Sequence, residues 1–151
     1  MDKVTVVFTK NNRSAISWLI RWALPRSRFA LALSSHCFVK VGDMTYDMGI
    51  GKKLAKVDFN EAMKGCVTVA ERTYLVPSLA DGVKWGDAQI GKAYDIKGAL
   101  GVAISPDRDW SDDSCWFCYE FTAGFLKECG LDIFQSLAHV TEIPLLALRS
   151  Y

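Results

Sequence analysis

Hydrophobic and polar positions alternate from Lys3 to Thr9, the period of a strand with one face buried. Residues 14–24 then switch to a helical period. Ser14 is placed to cap that helix, Ile16, Leu19, Ile20 and Ala23 share a face, and Pro25 follows its end. Residues 34–41 return to a strand pattern. Gly42-Asp43 forms a two-residue turn and residues 44–50 supply the hairpin partner. Residues 66–76 alternate again and are rich in β-branched and aromatic side chains. Residues 78–91 form a helix that Gly82 and Gly86 weaken. Residues 92–112 make a long loop with a short helix near 96–104. The strongest helix starts at Asp112, Asp113 and Ser114, runs to Glu128 and stops at Gly130. The tail, with Pro144, closes the chain as a short helix or strand. This order of elements predicts an α+β fold in which an antiparallel sheet carries helices.

A length of 151 residues suits one domain spanning 1–151, with no repeat or linker to divide it. Half of the residues are apolar and 23% are charged, which excludes a disordered chain and a disulfide-stapled mini-protein. The net charge is +1 and no run of basic residues occurs, so no nucleic-acid partner is expected. The first residues lack the pattern of a signal peptide. The longest apolar helical stretch, Ala15 to Leu24, is broken by Ser17 and Arg21 and is too short for a transmembrane segment. Both features point to a reducing cytoplasmic setting. Five dispersed cysteines, an odd number, agree with it, and most of them read as small core residues.

Cys118 has two readings, a core cysteine beside Trp116, Phe117 and Phe121 or a nucleophile. It falls in the first turns of the strongest helix, where unpaired backbone N–H groups carry partial positive charge. A thiol there loses its proton more readily, and the thiolate is the nucleophile. Only two histidines can serve as its base. In the hairpin register that the Gly42-Asp43 turn sets, Val41 opposes Met44, Phe38 opposes Asp47 and His36 opposes Gly49. His36 and Asp47 are then diagonal neighbours on one face, within side-chain reach. A one-residue slip would separate them. His139 is the weaker candidate, because the helix and its exit use most of the chain between it and Cys118. Cys115 and Cys118 also form a C-x-x-C pair, as in redox or zinc sites. No second half of a zinc site is evident, since His36 and Cys37 are adjacent in a strand and point to opposite faces.

The run Ile16-Ser17-Trp18-Leu19-Ile20-Arg21-Trp22 followed by Ser35-His36-Cys37-Phe38-Val39 resembles the amino-terminal signature of circularly permuted NlpC-type cysteine hydrolases, a papain-like group that includes the lecithin:retinol acyltransferase-like proteins. Trp116-Phe117-Cys118-Tyr119-Glu120-Phe121 is similar to their nucleophile motif, and Gly91-Lys92-Ala93-Tyr94-Asp95 to the segment before it. The resemblance spans most of residues 14–128. It implies a papain-like sheet packed against helices, with Cys118 as nucleophile at a helix N-terminus, His36 as base and Asp47 as the residue orienting it. Tyr94 and Tyr119 are carried over as site-lining, substrate-binding residues. Tyr119 stands where the family usually has serine.

Together these features imply a thiol hydrolase or acyltransferase that cleaves an amide, ester or thioester through an acyl-enzyme. It would need no metal or cofactor. Its substrate would be a peptide, a peptidoglycan fragment or an acyl lipid, met in the cytoplasm, or in a host cytoplasm if the chain is phage-encoded. Two alternatives stay open. One is a binding module of the same fold with a degraded site, which Tyr119 favours. The other is a redox or zinc protein that uses Cys115 and Cys118.

Overall fold

The computed structural model describes residues 1–13, 15–23, 33–49, 51–96, 114–134, 137, 140 and 142–148. Its elements, in chain order, are β1 (Asp2–Lys10), α1 (Ala15–Ala23), β2 (His36–Val41), β3 (Met44–Asp47), β4 (Ala55–Asp58), α2 (Phe59–Ala62), β5 (Val67–Val76), α3 (Leu79–Gln89), β6 (Ala93–Tyr94), β7 (Cys115–Trp116), α4 (Cys118–Glu128) and α5 (Glu142–Ala147). The fold is α+β, as the order of patterns predicts. Five strands pair antiparallel in the order β4-β3-β2-β1-β5. No helix of the described residues is long and apolar enough to cross a membrane.

β1 is an interior strand paired with β2 and β5, and its middle is buried on both faces rather than one: Val6, Val7 and Phe8 are all inaccessible. The core lies on the face that presents Val4, Val6, Phe8, Cys37, Val39 and Tyr46, and α4 covers it. Gly82 and Gly86 weaken α3 as an isolated helix, and their reason is packing. A methyl at Gly82 would overlap the Cys129 sulfur, and one at Gly86 would lie 3.0 Å from the Phe125 ring. The two glycines let α3 settle onto α4.

The hairpin forms in the expected register, with Val41 opposite Met44 and Val39 opposite Tyr46. Gly42 takes φ +60°, and among the described residues only glycines have positive φ. That pattern, glycine first in a two-residue turn, belongs to type II′ and matches the strand twist. The strands are shorter than expected, because Ser34, Ser35 and residues 48–49 leave the ladder.

Three expectations change. The strongest helix begins at Cys118, not near 112–114. Cys115–Trp116 pairs parallel with Ala93–Tyr94, and Asp95 N–H donates to Trp116 O at 2.7 Å. This pairing holds the chain extended up to the N-cap, Phe117. The end is as expected: Gly130 has φ +97°, and Leu131 N–H donates back to Leu126 O at 2.9 Å. In α1, Leu19 faces outward instead of sharing a buried face with Ile20. Ser17 is the cause. Its hydroxyl accepts from Asn11 N–H at 3.0 Å and contacts Ser35 Oγ at 2.6 Å, which turns that side of the helix inward. β4 and α2 are additional elements, and the Asp58 side chain between them accepts from Asn60 N–H. The Ser14 cap, Asp112, Asp113 and residues 97–104 of the expected short helix lie outside the described residues.

Candidate active site

β2 starts at His36, and the beginning of α4 lies against this start. Cys37 Sγ is 3.2 Å from Thr122 Oγ1, one turn into α4, and Thr122 Oγ1 donates to Cys118 O at 2.8 Å. This contact brings Cys118, the first residue of α4, to the end of the histidine strand. The residue is buried, with 3% of its surface exposed.

His36 Nε2 hydrogen-bonds Asp47 Oδ1 at 2.9 Å. The diagonal relation set by the Gly42-Asp43 turn is thus close enough for direct contact. The imidazole also meets the edge of Phe38, with ring centroids 4.7 Å apart at 88°. The charge of Cys118 also acts on the imidazole, which places the thiol near His36.

The electrostatics follow from this arrangement. Burial works against the His36 imidazolium, but the negative charge of Cys118 and the hydrogen bond to Asp47 outweigh it and raise His36 to about 9. Burial also works against the Cys118 thiolate. It is outweighed by a hydrogen bond from the Cys37 thiol, the charge of His36 and the backbone N–H of Cys37, which hold Cys118 well below the ordinary thiol range. The two shifts together favour an imidazolium–thiolate pair. Cys37 shifts the opposite way: burial and the neighbouring Cys118 charge keep its proton on.

Cys37 is the residue that sequence reasoning passed over. Strand alternation sends it to the face opposite His36, and this is correct within a continuous strand. At the strand's first residues, however, the helix start sits over the end of the sheet, and side chains from both faces reach the sulfur. Adjacency to His36 was the available signal.

Phe117 offers no side-chain cap to α4. The backbone N–H of Cys118, the first residue of the helix, has no intrahelical partner, and an N–H so placed is what an oxyanion-binding site uses.

The two tyrosines are placed differently from each other. Tyr94 is buried in β6, and the charges of Cys118 and Cys37 add to burial in raising its pKa, so it lies near the thiols. Tyr119 is 1% exposed and packed in the core. Its hydroxyl pairs with Ser34 Oγ at 2.8 Å. Ser34 Oγ donates to Glu142 Oε1 at 2.8 Å, Ser34 N–H donates to the same oxygen at 2.7 Å, and Leu33 N–H donates to Oε2 at 3.0 Å. With the Ser34 proton used on Glu142, Tyr119 is the donor to Ser34. The chain just before His36 is thereby tied to α4 and α5.

A cavity of about 400 Å³ opens beside His36 and Asp47, lined also by Phe38, Lys52, Lys64 and Cys66; Cys118 does not line it. Among the described residues no cluster of three His, Cys, Asp or Glu is arranged to hold a metal. Cys115 lies on β7 with its sulfur 3.6 Å from Ser114 Oγ. His139 lies outside the described residues. No family model, curated protein or solved structure matches the chain.

Proposed function

We propose that the protein is a thiol hydrolase or acyltransferase of the permuted papain-like type. The reading rests on His36 held by Asp47 at 2.9 Å, with the Cys118 thiol at an uncapped helix start and electrostatically coupled to that imidazole. The Cys118 thiolate attacks an amide, ester or thioester carbonyl, and a C–S bond forms. The resulting oxyanion accepts from backbone N–H groups at the start of α4. On collapse the C–N, C–O or C–S bond to the leaving group breaks, and His36 transfers its proton to that group. His36, now neutral, takes a proton from water or from an acceptor amine or alcohol, which attacks the thioester and regenerates the thiolate. Asp47 keeps the imidazole oriented and stabilises its charged form.

A peptide, a peptidoglycan fragment or an acyl lipid would supply such a carbonyl. A reducing cytoplasm suits the chemistry, because all five cysteines are free. Tyr119, which suggests a degraded site from sequence, has its hydroxyl committed to Ser34, and this supports a structural role for it.

p-Nitrophenyl acetate tests the chemistry. The parent should release a burst of p-nitrophenol and carry one acetyl group on Cys118 by peptide mass mapping. Cys118→Ala should show neither, and His36→Ala should slow the burst. An equal burst from Cys118→Ala would reject Cys118 as the nucleophile.

A further inference from the structure

α1 turns the buried Ser17 inward, leaves Ile20 half-buried, and exposes Trp18, Leu19 and Trp22 by 58, 45 and 60%. Together with exposed Ala15, these three residues follow the i, i+3, i+4, i+7 spacing of an apolar helix face. The Ser17 hydrogen bonds hold that face outward. Two large exposed tryptophans one turn apart need a partner to bury them.

The charge next to the helix says which partner. Lys10 closes β1 and the exposed Arg13 directly precedes α1, and no acidic residue occurs between Asp2 and Asp43. An apolar stripe ending in tryptophan and flanked by arginine matches the interfacial zone of a bilayer with anionic headgroups. Indole rings sit at the headgroup level there, and cations meet the lipid charge.

We propose that the outward face of α1 docks on an anionic membrane surface. The helix lies in the plane of the interface, with Trp18, Leu19 and Trp22 inserted among the acyl-chain ends. Ser17 links the opposite side of α1 to Ser35, next to His36, so docking holds the histidine end of β2 near the bilayer. This proposal does not depend on the chemistry assigned to Cys118.

Co-sedimentation and tryptophan emission with phosphatidylcholine–phosphatidylserine vesicles test it, with pure phosphatidylcholine vesicles alongside. The parent should sediment with the mixed vesicles, its emission should shift to the blue, and binding should weaken with salt. Trp18→Ala/Trp22→Ala should partition at least about tenfold more weakly while keeping its circular dichroism and melting transition, because both rings are exposed. Arg13→Glu should lose more affinity for the mixed vesicles than for the neutral ones. Cys118→Ala should bind like the parent, which separates this test from that of the catalytic site. A parent that stays in the supernatant overturns the proposal. So does undiminished binding by the tryptophan variant. Self-association or nucleic-acid binding that the same substitutions abolish, with no vesicle binding, assigns the face to another partner and also overturns it.

Discussion

Replacing Asp47 by asparagine isolates the charge behind the imidazole. The side chain keeps its shape, and its amide oxygen can still accept from His36 Nε2 at the 2.9 Å position. What is lost is the carboxylate charge. A charge-assisted hydrogen bond is about twice as strong as a neutral one, so the loss amounts to about 1–1.5 kcal/mol, or roughly one pKa unit. The sign follows from the form that Asp47 favours. It stabilises the protonated ring, so its removal lowers the pKa, from about 9 toward about 8. Proton-detected NMR titration of the imidazoles reads this directly, because the chain has only two histidines and His36→Gln identifies the signal. The same titration fixes the sign of the pH dependence of turnover. His36 is charged below about 9 and can protonate a leaving group there, so acyl transfer should fall as pH rises through that value. In Asp47→Asn the fall should come earlier. A parent midpoint near the free-histidine value of about 6.5, or the same midpoint in both proteins, would refute the electrostatics assigned to the dyad.

Cys37→Ala removes a charge-assisted hydrogen bond to the Cys118 thiolate, worth about 1.5 kcal/mol, so the Cys118 pKa should rise and iodoacetamide alkylation at mildly acidic pH should slow about tenfold. Tyr119→Phe should cost about 1 kcal/mol in urea unfolding through the lost bond to Ser34, and should leave the imidazole titration in place. Gly82→Val forces α3 away from Cys129 and Phe125 and should destabilise the fold by about 1–3 kcal/mol, read as a lower urea midpoint.

Local chemistry made the hairpin readable. A glycine-led two-residue turn fixes register, and register alone put His36 and Asp47 on one face. The C-terminal end of α4 was readable for the same reason, since Gly130 is the residue that can adopt the left-handed stop. Long-range pairing was not readable. The start of α4 is set by a two-residue parallel ladder with Ala93–Tyr94, far off in sequence and too short to leave a period. The outward turn of Leu19 rests on a serine–serine contact between α1 and Ser35, which a hydropathy pattern does not encode. Gly82 and Gly86 show a related ambiguity. Low helix propensity is visible at once, but the close approach of α4 that requires it is tertiary. In the site, Cys118, His36 and Asp47 could be singled out from position and resemblance, and the hairpin register brought the last two together. The contribution of Cys37 depends on where the helix start meets the end of the sheet, and Tyr119's hydroxyl is used on a serine preceding the catalytic strand.

The most direct measurement is the thiolate absorbance of Cys118, taken as the difference between the parent and Cys118→Ala across pH. A charged sulfur at neutral pH, with the difference already complete well below the titration of a free thiol at about 8.5, is the expected result. A difference that appears only as pH passes through that ordinary range would mean that Cys118 is an unactivated core cysteine, and it would contradict the imidazolium–thiolate pair on which the proposed chemistry rests.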